Sequence, residues 1–248
     1  MSEPKTMKVL LLRHTLAPEE TVALGAKLCY SKATIEDLLE KNSQKDQSMF
    51  IEKLMSMGHE SVFEHATFTF GIEGVSRVLL AQLTRHRLAS YSVQSQRYVS
   101  YENGFGYIIP ESIISLGNEA VDLYREQMET IESWYIDWQK RLGGAGEKTN
   151  EDARFVLPNA CETRIVLTMN ARELFHFFSL RMCNRAQWEI RNMAGQMYRL
   201  CLQAAPSLFK YAGPPCLRGK CPEGDKTCGR AAEIRRAREE LLKSTEGI

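Results

Sequence analysis

Between Arg85 and Tyr98 the chain reads RHRLASYSVQSQRY, with three arginines, one histidine, three serines, two glutamines, two tyrosines and no acid. Guanidinium groups recognise phosphate through two parallel N–H donors, and serine hydroxyls complete such a cradle. The stretch therefore points to an anionic ligand. Ahead of it, Val75, Val78, Leu79 and Leu83 are spaced three or four apart, which predicts a helix running into the cluster. On a continuing helix Arg85 and Arg87 would diverge by about 200°, whereas Gln82 and Arg85 would share a side. That geometry implies two anionic ligands, or two phosphates of a large one. Ser95 lacks a committed neighbouring base, so it reads as a hydrogen-bonding residue and not a nucleophile.

A second block, NARELFHFFSLRMCNRAQWEIR, starts at Asn170. Asn170 and Glu173 have capping-box spacing. Leu174, Phe177 and Phe178 form an apolar stripe, and Arg181 and Arg185 continue it. A cation on a core-facing stripe needs an anion or dense hydrogen bonding. A salt bridge with Glu64 or Glu173 is one solution, and a ligand is the other. His176 lies four residues after Arg172 and shares its face; one hydrogen bond would satisfy it. A third polar group, His59-Glu60-Ser61-Val62-Phe63-Glu64-His65, follows Gly58, and Arg154 interrupts the apolar stretch ARFVLP.

The elements that must position these residues read as follows. Lys8 to Leu12 is a buried strand. A helical run from Pro18 to Leu39 has Leu24, Leu28, Ile35, Leu38 and Leu39 as its core face. Met49 to Met57 is a helix that Gly58 ends. Thr67 to Ile72 alternates, with Phe68, Phe70 and Ile72 on one side. After Tyr98 the chain is loop-like. Val121, Tyr124, Met128, Ile131, Tyr135, Trp138 and Leu142 make a long amphipathic helix that Gly143-Gly144 ends, its aromatic stripe serving as core or subunit interface. Gly143 to Asn150 is a loop, Arg164 to Met169 a strand, and a long helix follows Asn170. A Gly-, Pro- and Cys-rich segment from Pro214 to Gly229 precedes a charged helix from Arg230 to Lys243. The expected fold class is α/β, of α+β type: one catalytic domain over 1–248, a mostly antiparallel sheet flanked by long helices, with 212–248 as a tail.

The chain has 248 residues and a net charge of +1, so no global field attracts nucleic acid or an anionic membrane. A nucleic-acid-binding module using the arginines and tyrosines is disfavoured on that ground. No apolar run approaches a membrane span, and no signal peptide opens the chain. Seven cysteines, an odd number, point to reduced thiols in the cytoplasm. Cys29, Cys161, Cys183 and Cys201 fall in predicted elements and read as small buried groups. Cys216, Cys221 and Cys228 form C-x4-C-x6-C in the tail. Zinc sites normally take four ligands at tighter spacing, so no metal site is expected there.

Arg85-His86-Arg87, seven residues, then Ser95 and Arg97-Tyr98, resembles the fingerprint of flavin-dependent thymidylate synthases. Asn170-Ala171-Arg172, His176, Arg181, Arg185 and Gln187-Trp188-Glu189-Ile190 are similar to a second block of that family. His59 to His65 resembles a third and Arg154 a fourth, all in the family's order, from near Cys29 to near Ile190. The tail beyond Lys210 lies outside the resemblance. The chain departs from the pattern at Ser92 and Val93, where relatives often carry Asn and Glu, and at Ser61, where many carry Thr.

The resemblance implies the family's fold and activity: reductive methylation of dUMP to dTMP. It implies methylenetetrahydrofolate as carbon donor and FAD, reduced by NADPH, as hydride source. It assigns Gln82, Arg85, Ser95, Gln96, Arg97, Arg154 and Arg181 to dUMP. It assigns Ser61, Arg85, His86, Arg87, Asn170, Ala171, Arg172, His176 and Arg185 to FAD, and His59 to the folate and nicotinamide position. Arg181 is the implied catalytic residue, stabilising negative charge on the uracil. A homotetramer whose sites combine several subunits is implied as well. A flavin reductase, or another nucleotide-binding flavoenzyme without methyl transfer, is the alternative.

Overall fold

The computed structural model describes residues 2–43 and 45–245. The chain opens with β1 (Glu3–Pro4) and β2 (Lys8–His14). The helical run expected from Pro18 to Leu39 is two helices, α1 (Pro18–Leu28) and α2 (Ile35–Ser43). The break has a local cause. The Ser31 hydroxyl accepts from the Ala33 N–H at 3.1 Å, and the Thr34 hydroxyl accepts from the Asp37 N–H at 3.2 Å. Such bonds end one helix and cap the next. The core face moves accordingly: Val22, Ala23 and Ala26 are buried, while Leu28, Ile35 and Leu39 are exposed and Leu38 alone of the expected set is buried.

α3 (Ser48–Ser56) follows, and Gly58 beyond it adopts φ +71°, the left-handed region open to glycine. A 3-10 turn (Ser61–His65) leads into β3 (Thr67–Ser76), which buries Phe68, Phe70 and Ile72. Gly74 in β3 has φ +67°, and a Cβ there would lie 1.9 Å from the Thr6 carbonyl oxygen.

α4 (Arg77–Leu83) is shorter than the periodicity predicts. Ser76 caps it by accepting from the Leu79 N–H at 3.1 Å, Val75 belongs to β3, and Val78 is exposed. The helix stops before Arg85, so the 200° divergence expected of Arg85 and Arg87 does not apply. Instead the chain turns and forms β4 (Ala89–Val93), a strand the sequence reading missed. Tyr91 and Val93 favour extended backbone, and the Thr84 hydroxyl bonds back to the Leu80 carbonyl at 3.0 Å as the helix closes.

β5 (Gly106–Tyr107), α5 (Glu111–Ile114) and the long α6 (Asn118–Arg141) come next. Met128 and Tyr135 of α6 are buried, whereas Trp138 and Leu142 of the same expected stripe are exposed. The expected loop after Gly143 contains α7 (Glu147–Ala153), which passes into a 3-10 turn (Arg154–Val156). β6 (Glu162–Asn170) then leads into α8 (Ala171–Arg181), α9 (Trp188–Ala204), α10 (Pro206–Phe209) and, after the tail segment, α11 (Ala231–Thr245). The long helix expected after Asn170 is therefore interrupted.

β2, β3, β6 and β4 lie in that order in an antiparallel sheet, and β1 pairs in parallel with β5. The fold is thus mixed α/β. The chain divides into two compact units. The first comprises the N-terminal residues through Val9, Gly71–Arg85 and Tyr91–Leu167; Tyr101, Phe105, Tyr107, Met128, Tyr135 and Cys161 form a core cluster in it. The second comprises Leu10–Phe70, His86–Ser90 and the chain from Thr168 onward. Phe68, Phe178 and Phe209 meet edge to face in its core. Among the described residues no helix is long and apolar enough to cross a membrane.

Candidate active site

In the first unit the residues expected to meet dUMP sit on three short pieces of chain. Gln82 is half-buried on α4, and Arg85 is exposed just beyond it. Ser95, Gln96 and Arg97 form the turn that follows β4. The Ser95 hydroxyl accepts from the Arg97 N–H at 3.2 Å and the Ser95 carbonyl from the Val99 N–H at 3.1 Å, which fixes the turn. Arg154 stands at the start of the 3-10 turn after α7. Glu151 of α7 meets both arginines with different groups: its carboxylate pairs with Arg97 Nε at 3.1 Å, and its carbonyl accepts from Arg154 Nε at 3.1 Å. Glu147 pairs with Arg97 as well. The stretch from Arg85 to Tyr98 holds no acid of its own, yet α7 supplies two to its last arginine, Arg97, so an anion arriving there must compete with them.

Gln96 turns its side chain inward and donates to the Cys161 thiol at 3.5 Å. Burial, the largest influence, pushes that thiol up to about 11. A thiol so protonated and enclosed is an inert core group, not a nucleophile.

In the second unit the N-terminus of α8 places three expected residues. Asn170 caps the helix by accepting from the Glu173 N–H at 2.8 Å, and the Ala171 N–H donates to the Ala66 carbonyl at 2.7 Å, tying α8 to the end of the Ser61–His65 turn. Arg172 is exposed and pairs with Glu64 at 2.5 Å. Arg172, Ser61 and His59 line one cleft of about 360 Å³, together with Tyr30, Cys29 and Leu54. Cys29 is exposed there, contrary to the expectation of a buried group. Arg87 is exposed.

Glu173 does not complete a reciprocal capping box. Its carboxylate instead accepts from His86 Nδ1 at 3.2 Å, and His86 Nε2 accepts from Arg181 Nε at 3.0 Å. An arginine Nε can only donate, so His86 Nε2 must be the lone-pair nitrogen and Nδ1 must carry the proton. His86 is only 4% exposed. Burial first, then the charge of Arg181 and the nearness of His176, drive its pKa down to about 4. The imidazole is neutral at pH 7, so the contact with Glu173 is a hydrogen bond and not an ion pair. Glu173 is itself buried, and burial raises its pKa.

Glu173, His86 and Arg181 thus form a line of fixed polarity on buried ground. Phe177 packs edge to face on His86 at 4.9 Å, and His176 stands 5.8 Å from it, exposed to solvent. Of the two acids considered for Arg181, Glu64 pairs with Arg172, and Glu173 accepts from His86, which in turn accepts from Arg181. Arg181, half-buried, ends α8 on the stripe of Leu174, Phe177 and Phe178. Arg185 does not continue that stripe. It lies in the turn beyond the helix, exposed, and donates to Glu223 at 2.7 Å and to the Lys226 carbonyl at 3.3 Å. Glu173 was missed as a site residue; an acid three positions into a helix looks like a cap until tertiary structure turns it.

The family described as Thymidylate synthase complementing protein matches residues 10–207. The chain belongs to the flavin-dependent thymidylate synthase family. It is 52% identical over 236 residues to the flavin-dependent thymidylate synthase of Geobacter sulfurreducens, covering 95% of this chain and 99% of that one. The enzyme of the same name from Clostridium tetani is 49% identical over 245 residues, with 94% and 98% covered. That of Pyrococcus furiosus is 40% identical over 232 residues, with 88% and 91% covered. Membership of this flavin-dependent thymidylate synthase family thus extends over nearly the whole length of its relatives.

Proposed function

We propose that this chain is a single catalytic domain with residues 212–248 as its tail, a methyltransferase that converts dUMP to dTMP. In this reading methylenetetrahydrofolate donates the carbon, and FAD, once reduced by NADPH, supplies the hydride that no side chain of the protein can. The observation that carries the reading is the anchored guanidinium of Arg181. A planar, permanently charged donor held by a neutral, tautomer-fixed histidine is preorganised to stabilise charge developing on a uracil oxygen.

The other residues support the same reading. The exposed Arg85, with Ser95 and the Arg97–Arg154 pair, supplies donors suited to a nucleotide phosphate. In support of a flavin nucleotide, Ser61 and Arg172 line the cleft that also holds His59, and the exposed Arg87 offers a second cation. We assign His86, which is buried, to orienting Arg181 and not to touching FAD. Arg185 reaches a cofactor only by exchanging Glu223 for it. His59 takes the folate and nicotinamide position. The buried Cys161 thiol fits a scheme without an enzyme nucleophile. In the proposed homotetramer the sites combine residues of several subunits. A cytoplasmic location accords with seven free thiols.

The test separates two half-reactions. Tritium release from labelled dUMP, with and without methylenetetrahydrofolate, reports methyl transfer; flavin bleaching by NADPH reports reduction alone. Arg181→Ala should lose about 10²–10³ in turnover for tritium release and much less in flavin reduction, with Arg181→Lys a poor rescue. Tritium release at nearly the parent rate in Arg181→Ala would end the assignment. Flavin reduction without folate-dependent tritium release in the parent protein would leave a flavin reductase.

A further inference from the structure

The tail carries three cysteines, and a fourth reaches it from elsewhere in the chain. α8 ends at Arg181, and Cys183 lies in the turn before α9. Cys183 is half-buried, not a core group as its sequence position suggested. Arg191 Nη1 donates to the Asn184 carbonyl at 2.9 Å and so fixes that turn. The tail is laced onto it at several points. Asn184 Nδ2 donates to the Cys228 sulfur at 3.7 Å, and Arg185 holds Glu223 and the Lys226 carbonyl. From the other side, Arg235 of α11 donates to the Cys216 carbonyl at 2.8 Å and to the Gly219 carbonyl at 2.6 Å. The segment so clamped contains only two single-turn 3-10 pieces, Pro215–Leu217 and Gly224–Lys226. A stretch of this kind has little apolar core of its own, and such segments commonly need a metal or a cross-link to hold one shape.

We propose that Cys183, Cys216, Cys221 and Cys228 together bind a thiolate-held metal centre, an iron–sulfur cluster, that staples the tail to the turn after α8. Four thiolates of one chain select zinc or an iron–sulfur cluster among biological metals. The bonds of Asn184 and Arg185 to the 223–228 segment, and of Arg235 to the Cys216 and Gly219 carbonyls, hold the turn after Cys183 against the stretch that carries the other three cysteines. All four are free thiols. Among the described residues no three His, Cys, Asp or Glu side chains are grouped tightly enough to hold a single metal ion. The C-x4-C-x6-C spacing of the tail, wider than the short Cys pairs of structural zinc sites, favours the cluster over one zinc. The centre would sit two residues beyond Arg181 in sequence, anchoring the end of the helix that carries the proposed catalytic guanidinium.

The full chain, purified without oxygen, should contain iron and acid-labile sulfide in equal amounts, reduced to background in Cys183→Ser and in Cys221→Ser and retained in Cys29→Ser. Protein stripped of metal and treated with ferrous ion and sulfide should regain both. Alkylation of the intact protein covers the case in which a serine variant fails to fold. Cys183, Cys216, Cys221 and Cys228 should resist iodoacetamide as purified and react after metal removal. Iron retained by both serine variants, or all four thiols open to alkylation in protein free of iron and zinc, would overturn the proposal. One zinc per chain, lost in the same variants, would overturn the cluster and leave a four-thiolate zinc site.

Discussion

Replacing Glu173 by leucine removes the acceptor that fixes the His86 tautomer without touching Arg181. The Nδ1–H, 3.2 Å from the carboxylate in the parent, is then buried without that partner. An unsatisfied buried donor costs ~1–3 kcal/mol. The ring can escape by moving its proton to Nε2, but that turns an N–H against Arg181 Nε, now 3.0 Å away, and breaks the second bond instead. In the first case the ring is no longer oriented by that carboxylate, and in the second its bond to Arg181 is lost, so the guanidinium is held less firmly in both. At about 1.4 kcal/mol per factor of ten, tritium release should fall roughly ten- to a hundredfold, less than on deleting Arg181 itself. Glu173→Gln keeps an oxygen that accepts from Nδ1–H, so it should stay within about 1 kcal/mol of the parent. The assay is tritium release from labelled dUMP, with NADPH-driven flavin reduction as the control reaction that should change little in either variant. Parent-like tritium release in Glu173→Leu would refute the positioning argument. A loss in Glu173→Gln as large as in Glu173→Leu would mean that charge, not tautomer, matters.

The same histidine predicts a pH dependence. Its pKa lies at about 4 in the fold, below its ordinary 6.5, so the fold favours the neutral ring. Its contribution is full above pH 6.5, declines as pH falls toward 4, and is capped at ~3 kcal/mol by the size of that displacement. The raised carboxyl of Glu173 works in the opposite sense and blunts the loss. Thermal melts across this window should show a shallower pH slope for His86→Phe than for the parent. Cys161→Ser should keep most of the turnover, because a thiol pushed up to about 11 takes no part as a nucleophile; complete loss of tritium release with flavin still bound would contradict this. Gly74→Ala should lower the denaturant midpoint by more than the ~1–2 kcal/mol of a left-handed residue alone, since its Cβ would strike the Thr6 carbonyl. An unchanged midpoint would show that the strand shifts freely.

Two of the elements that carry the candidate site could be read from residue types and spacing. The alternation of Phe68, Phe70 and Ile72 required a half-buried strand, and Asn170 before an apolar stripe required a capped helix. Both follow from local periodicity and from backbone groups seeking partners within a few residues. Local pattern failed where a short polar bond outweighed propensity. Ser31 and Thr34 split one expected helix into two, and α4 stopped at Leu83, leaving Arg85 and Arg87 off any helix. Charge balance was also invisible along the chain. Arg97 meets acids about fifty residues away, and Arg185 meets one in the tail.

What the sequence determined by itself was therefore the family and the alternation of helix and strand. Tertiary structure alone decided which groups face each other. Glu173 could have closed a capping box, yet it points to His86, 87 residues away in the chain. Cys183 looked like core packing and instead is half-buried in a turn whose next residue, Asn184, bonds the Cys228 sulfur. The physical reason is the same in both cases. A buried polar or ionisable group takes whichever partner packing brings within hydrogen-bond or ligand reach, and sequence spacing fixes that partner only within a turn or a strand pair.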